Sequence, residues 1–558
     1  MVSIGTRSPV YGRHGMVATS QPLASEIGLR ILRAGGNAVD AAIAIAAALS
    51  VTEPCSTGIG GDCFVLFYDA STRQVQGING SGRSPAALTM ERARADFAVA
   101  GDATLPAFVP RAHGHSVTVP GAVAGWVDAV DKWGSMPLAE LLAPAIALAK
   151  DGFPVSPITA HGWARGKHQL DRSPPRPRAA AARRACAARR RDLSQSDARG
   201  VARGHRGRRQ GRLLQGSRGR GDRRGRGTAG RRTDARGPRG TRVDGRDAHQ
   251  DDVPWRRRAR DPAQRPGIVA LLALNILNEL LPEGADDSNV ARDSPEYLHL
   301  VVEALRLAFA DAQWYVSDLE HNPQTPVDAL LSREYARARA ALIDRSRALV
   351  DPTRGSPELS CDTVSFQVVD AAGNAVSMVN SNYEGFGTGF VPRGCGFTLQ
   401  NRGSNFRLDD AGHPNALAPC KRPYHTIIPA ISTFADDSQA LHATFSVMGA
   451  FMQPQGHVQV LCNLLVHGLD PQEAIDAPRV CVDAKSGATG ESRVLLEDGV
   501  SPETAHALAT RFGHVIETRA GVGPRSVFGR GQIIVRDRES GVLCAGSDGR
   551  ADGCAMGW

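Results

Sequence analysis

Thr363 stands where a loop rich in Pro, Gly and Ser, DPTRGSPELSCD, runs into an apolar strand. It opens an alternating run with Val364, Phe366 and Val368 on one face. Read alone, such a residue is a strand-opening threonine, although an exposed lead-in to a buried strand also suits a cut site. Val447-Met448-Gly449-Ala450 ends the strand HATFSVM and precedes the helix HVQVLCNLLVHG, so its N–H groups can face an anion. Cys55 to Asp62 is glycine-rich. It lacks the Lys and Ser/Thr of a phosphate loop and leads into a strand, CFVLFYD, so it reads as a tight turn. Arg83 sits on the polar loop Asn79–Pro85, where an isolated arginine reads as solvated. The ten cysteines form no C-x-x-C pair and do not cluster with histidines at zinc spacing. The expectation is packed, reduced thiols, no metal and no cofactor.

The elements that must position these residues follow from periodicity. Ser20-Gln21-Pro22 starts a helix with proline in its first turn, ended by Gly35-Gly36. Asn37 to Asp40 starts a second, AAIAIAAALSV, apolar nearly all round and therefore buried. Further helices are expected after Pro120-Gly121, at 138–151, from Gly267 to Leu281, at 295–316, and near 332–349. Beyond Thr363, Ala371–Asn374 reads as a tight turn and Ala375–Val379 as a returning strand. Polar, glycine-punctuated turns follow at Asn380–Gly389 and Leu399–Phe406, and Pro419–Thr426 precedes the strand IIPAIST. Strands concentrated late, with helices around them, point to an α/β fold of stacked sheets covered by helices.

Composition adds one anomaly. The net charge of +9 comes from residues 171–265, which hold 30 Arg against 10 Asp with no Lys or Glu, for +20. The rest carries 36 basic and 47 acidic residues, a net of −11. The segment has neither helical nor strand periodicity and lacks Phe, Tyr, Ile, Met and Asn. A basic nucleic-acid-binding linker and a low-complexity spacer are two readings. A reading-frame error in a G+C-rich gene is the favoured third, because the missing residues largely have A/T-rich codons. No stretch reaches the ~18 apolar residues that span a bilayer, and the first 20 residues lack the apolar core of a signal peptide. The expectation is a cytoplasmic protein that engages neither membrane nor nucleic acid.

The motifs together resemble the γ-glutamyltransferase family of N-terminal-nucleophile hydrolases. They include HGMVATSQPLAS, GGNAVDAAIA, EPCSTGIGGD, VPGAVAGW, DTVSFQVVDAAGNAVS, FGTG, LQNRG, KRPYHTIIP and GSDGRADGCAMGW, in order. NSNYEGFGTG, LQNRG and KRPYHTIIPA look most like the cephalosporin-acylase branch. The resemblance implies a four-layer αββα sandwich and a precursor cut between Asp362 and Thr363. The products are a large subunit, 1–362, and a small one, 363–558, held as a heterodimer. The Thr363 hydroxyl attacks the Asp362 carbonyl, an N→O acyl shift makes an ester, and water cleaves it. Thr363 then carries a free α-amine with a pKa of about 7.7–8, able to act as base to its own hydroxyl. By the same resemblance Ser381 is the hydroxyl partner and Gly449-Ala450 the oxyanion hole. Exported relatives imply that a periplasmic location is also open.

The substrate positions depart from the family. By alignment to it, Asn405 replaces the acidic residue that holds a γ-glutamyl α-amine, and Arg402 replaces its glutamine neighbour. His425-Thr426 replace the serine pair for the α-carboxylate, Tyr383 joins the pocket, and Ser81 stands where the clamping arginine belongs, with Arg83 two residues on. An ammonium thus loses a partner and a carboxylate gains one. The expected substrate is a glutaryl amide such as a glutaryl cephalosporin, with γ-glutamyl transfer as a side activity. The alternatives are a conventional glutathione hydrolase and an arginine-rich nucleic-acid-binding protein.

Overall fold

The Thr363–Val369 and Ala375–Ser381 runs form an antiparallel hairpin, with Thr363 opposite Ser381 and Val369 opposite Ala375. Asp370 closes its turn: Oδ1 accepts from the N–H groups of Ala372 and Asn374, each at 2.9 Å. Gly373, at φ +85°, supplies the left-handed residue. The other carboxylate oxygen accepts from the N–H of Ala38 at 3.0 Å. The hairpin is thereby tied to the first turn of the alanine-rich helix.

The computed structural model describes residues 7–98, 106–171, 267–281, 291–349, 363–436, 438–483, 492–521 and 525–558, with the backbone alone of 244–247, 249–253 and 256–260. The strands are β1 (Val10–Gly12), β2 (Met16–Thr19), β3 (Asp62–Asp69), β4 (Gln74–Gly80), β5 (Asp244–Asp247), β6 (His249–Val253), β7 (Arg256–Arg260), β8 (Thr363–Val369), β9 (Ala375–Ser381), β10 (Ala430–Phe434), β11 (Leu441–Met448), β12 (Val480–Asp483), β13 (Arg493–Glu497), β14 (Val515–Arg519), β15 (Arg530–Arg536), β16 (Leu543–Ser547) and β17 (Cys554–Gly557). One sheet has the order β17-β2-β8-β9-β3-β4-β5 and the other β1-β16-β15-β11-β10-β7-β6, with a small third sheet β12-β13-β14. Helices Pro22–Arg33 and Ala38–Thr52 cover the first sheet, and Met452–Leu465 and Pro471–Asp476 the second. The two sheets face each other through β8, β9, β11 and β15. This is the expected αββα sandwich.

The layering explains β8. Val364, Phe366 and Val368 are fully buried against the helical layer, in one core with the Ala38–Thr52 helix. Thr363, Ser365 and Gln367, on the opposite face, are buried between the sheets. Asn37 caps the alanine-rich helix, accepting from Val39 and Asp40 in a capping box, and 14 of the helix's residues are buried. The Gly267–Leu280 and Pro295–Tyr315 helices also form as expected. The helix expected near 332–349 is only Arg333–Ala340. The arginine-rich stretch differs more: although it lacks alternation, β5, β6 and β7 extend the edges of both sheets. Edge pairing uses backbone groups, which period-2 patterning does not report. The remainder of that stretch from 172 to 265, and residues 350–362 with Asp362, lie outside the described residues.

A buried histidine pair joins residues before and after Thr363. His299 Nε2–H donates to the Asp344 carbonyl at 2.8 Å, so its Nδ1 accepts from His514 Nε2–H, also at 2.8 Å. Beside them Glu303 accepts from Arg306 and from the N–H of Leu349, both at 2.9 Å. His299, Glu303 and His514 are close enough to share a cation, but hydrogen bonds account for most of their polar atoms. Burial, reinforced by Arg306 and His299, pushes the His514 pKa down to about 3. Burial lowers that of His299 as well. Below pH 6.5 the unfolded chain therefore takes up protons that the folded one refuses. Stability falls from pH 6.5 towards 3, by at most about 1.4 kcal/mol per unit for each histidine. Thermal melts between pH 7 and 4.5 should show this decline, and His514→Gln should flatten it.

Candidate active site

The register of the first sheet sets three polar side chains in a row. Thr363 opposes Ser381 across β8 and β9, and Ser381 opposes Asp62 across β9 and β3. Opposed residues share a face, so all three point between the sheets. Thr363 Oγ1 and Ser381 Oγ are 3.0 Å apart, and both residues are buried. Ser381 Oγ also accepts from the N–H of Tyr383 at 2.8 Å. Its proton is therefore free to be donated to Thr363, which would stabilise a developing alkoxide.

The glycine-rich turn before Asp62 reaches this row by close packing. A Cβ on Gly61 would lie 2.2 Å from the Ser381 carbonyl, and one on Gly60 would lie 2.1 Å from the Thr398 carbonyl. Only glycine lets this turn lie against the end of β9.

Gly449 and Ala450 lie at the same end of the molecule. Gln367 donates to Ser446 Oγ at 2.5 Å and accepts from Thr444 Oγ1 at 2.6 Å, while Val369 packs in a core with Leu441. β8 and β11 thus run oppositely across the sandwich, and Thr363 lies towards the Met448 end. Among the described residues, neither the Gly449 nor the Ala450 N–H has an acceptor. Gly449 has φ +137° and Ala450 φ +51°. A left-handed alanine costs about 1–2 kcal/mol, a strain that a functional turn can hold. Two unpaired donors in this turn suit an oxyanion.

Around the row the structure gathers most of the candidate pocket residues. Arg402 Nε and Nη2 donate to the two Asp62 oxygens at 3.1 and 3.4 Å, and Nη1 donates to Thr426 Oγ1 at 2.6 Å. Its guanidinium lies 4.3 Å from the Tyr383 ring centroid. The Tyr383 hydroxyl donates to Asn405 Oδ1 at 2.7 Å, and Asn405 Nδ2 donates to the Tyr424 carbonyl at 3.0 Å. His425 Nδ1 faces the N–H of Ile427 at 3.4 Å, so it is the acceptor and Nε2–H donates to Asp62 at 2.8 Å. Burial raises the Asp62 pKa, but Arg402 and His425 outweigh it and hold the carboxyl below its ordinary range. Arg402 is thus an ion-paired cation, not the added free charge that the sequence suggests. Arg83 is held by Asp318 at 3.3 Å, by Glu320 at 2.6 Å and by the Cys420 carbonyl at 2.9 Å.

Asp62 is the residue that sequence reasoning missed. Its signal was an acid opening a strand that is apolar from Cys63 to Phe67, where aspartate is disfavoured.

The model of the γ-glutamyltranspeptidase family matches residues 24–196 and 252–558. The chain belongs to that family. The match extends into both ends of the arginine-rich stretch and leaves out 197–251. The chain is 32% identical to the glutathione hydrolase-like YwrD proenzyme of Bacillus subtilis, over 98% of this chain and 99% of the relative. It is 33% identical to the oxamate amidohydrolase proenzyme of Klebsiella pneumoniae, over 98% of each. Its fold matches the crystal structure of cephalosporin acylase from Bacillus halodurans at 36% identity with a TM-score of 0.82, over 100% of this chain and 98% of that one. The protein is accordingly an N-terminal-nucleophile amide hydrolase made as a precursor that is cleaved. No described helix is long and apolar enough to cross a membrane.

Proposed function

We propose that the protein is a self-processing acylase that removes a glutaryl group from an amide through an ester on Thr363. Processing starts when Thr363 Oγ attacks the Asp362 carbonyl; the N→O shift breaks the amide C–N bond and frees the Thr363 α-amine, and water then hydrolyses the ester, leaving the Asp362 carboxylate and the Thr363 hydroxyl. That amine then takes the hydroxyl proton as Oγ attacks the substrate amide. Ser381 donates to Oγ, and the N–H groups of Gly449 and Ala450 receive the oxyanion. The amine product leaves with the proton, and water hydrolyses the acyl ester.

The observation that carries the glutaryl reading is the state of the pocket carboxylates. Asp62 is taken by Arg402 and His425. Glu384 is taken by Arg111 at 2.6 Å and by Asn401 at 2.9 Å. Asn405 Oδ1 is taken by Tyr383. A γ-glutamyl α-ammonium finds no free anion among these groups, whereas a distal carboxylate meets Arg402 and Thr426.

Length supports the same reading. Two strand spacings, about 10 Å, separate the Thr363 and Asp62 positions. A five-carbon diacid spans roughly 5 Å between its carboxyl carbons. With an attack distance of about 3 Å and a hydrogen bond of about 2.9 Å, an acyl group on Thr363 reaches the neighbourhood of Asp62, where Arg402 is held. A relative named for oxamate, the monoamide of a shorter diacid, shares the acid-bearing acyl group without an α-amine, though not its length.

The test compares kcat/KM for glutaryl and γ-glutamyl anilides that share one leaving group. The expected preference is about tenfold or more for glutaryl. A preference for γ-glutamyl, with stimulation by a dipeptide acceptor, would overturn the reading.

A further inference from the structure

Asp62 has no part in the chemistry described above, yet it bonds two pocket residues directly and reaches others through Arg402. It is fully buried, as is Arg402, and their ion pair closes across 340 residues of sequence. Arg402 in turn touches Thr426 and Tyr383, and Tyr383 holds Asn405. Three of the five guanidinium N–H groups are committed, two of them to Asp62. Within the Asp62–Arg402 pair the two charges cancel.

We propose that Asp62 is a resident counter-ion of the acyl pocket: it positions Arg402 and His425 and competes with the substrate's carboxylate for Arg402. This rests on the glutaryl reading above. The consequence is a pocket that grips an anionic acyl group by directed hydrogen bonds and not by net attraction. Two charges held at hydrogen-bond distance in a dry site interact strongly. A substrate carboxylate must therefore share a cation that is already satisfied, and its KM is higher than a free arginine would give. Asp62 acts on the substrate only through Arg402, so it is a positioning and specificity residue. The nucleophile pair does not depend on its charge.

The proposal separates effects on binding from effects on chemistry. Asp62→Asn keeps the shape and removes the anion, leaving Arg402 to be neutralised by the ligand. Kinetics with glutaryl and valeryl anilides, one anionic and one neutral acyl group of equal length, should show KM for the glutaryl substrate falling roughly tenfold while KM for the valeryl one stays level. The change in kcat should be similar for both. Free glutarate should raise the Tm of the variant more than that of the parent, and added salt should weaken this effect. An equal glutaryl-to-valeryl selectivity in parent and variant would overturn the proposal, as would a drop in kcat with KM unmoved.

An uncompensated buried guanidinium can prevent folding. In that event Asp62→Asn combined with Arg402→Gln, which removes both charges, should restore a folded chain with less glutaryl preference than the parent. Failure of the double variant to fold would count against a counter-ion role. The parent's own glutaryl against γ-glutamyl ratio tests the substrate reading separately. A pocket that prefers γ-glutamyl groups can still show, or fail to show, the Asp62-dependent shift.

Discussion

Replacing Thr363 by alanine should yield one uncut chain and no detectable amide hydrolysis, a loss on the order of 10⁴-fold or more. The parent should run as two bands, residues 1–362 and 363–558, and the variant as one. Two steps fail together in Thr363→Ala. Without the hydroxyl there is no N→O shift, so no α-amine forms, and there is no oxygen to carry the acyl group. Thr363→Ser restores a hydroxyl at the same backbone site, 18 residues before Ser381 and opposite it in the ladder. It should recover processing and measurable turnover. Gel electrophoresis with mass analysis of the new amino terminus reads both results. A fully processed Thr363→Ala chain would move the cut site and the nucleophile elsewhere.

Asp548→Ala should cost about 3–5 kcal/mol of stability, because it leaves buried Arg479 without its carboxylate and takes from Arg550 one of its two. The Asp548 carboxylate accepts from Arg479 Nη2 and from the N–H groups of Gly531 and Arg550, each at 2.8 Å. It also accepts from Arg550 Nη1 at 3.0 Å, and Arg550 is paired in turn with Glu497. Burial works against the Asp548 charge, but Arg479 and Arg550 prevail and hold its pKa at about 2. A depressed carboxyl contributes stability above its unfolded pKa, near 3.8, and that contribution is lost as pH falls through about 2. Denaturant melts at pH 7 should therefore show most of the difference between parent and variant, and melts at pH 2 much less.

Activity should drop as well. Arg479 also donates to the carbonyls of Phe528 and Gly529, at 2.9 and 3.3 Å. Gly529 packs against Gly449, where an added Cβ would lie 3.0 Å from the Gly529 Cα. Losing Asp548 loosens the turn that presents the Gly449 and Ala450 N–H groups. A stability loss below about 1 kcal/mol would show that the arginines find other partners.

Local physics made much of this protein legible before any coordinates. Proline in the first turn, the Asn37 cap and Gly152 after Asp151 mark helix ends through nearest-neighbour chemistry, and helices begin or end at those points. The alternation after Thr363 marks β8, and the Ala371–Asn374 turn marks its partner. Thr363 and Ser381 were paired by the family resemblance, and the hairpin supplies the physical reason: it converts a spacing of eighteen residues into direct opposition. The edge strands β5, β6 and β7 were not legible in the arginine-rich stretch, because strands at a sheet edge can form on backbone pairing alone. Asp62 escaped because its partners, Arg402 and His425, lie 340 and 363 residues away. Charge in the pocket was likewise beyond a linear reading, which counts Arg402 as one added cation. Only the register that sets Asp62 beside Ser381 shows that this cation brings its own anion. Periodicity and caps act over a few residues and are written in the chain; the sign and strength of a buried site depend on which distant side chains the sheets bring together.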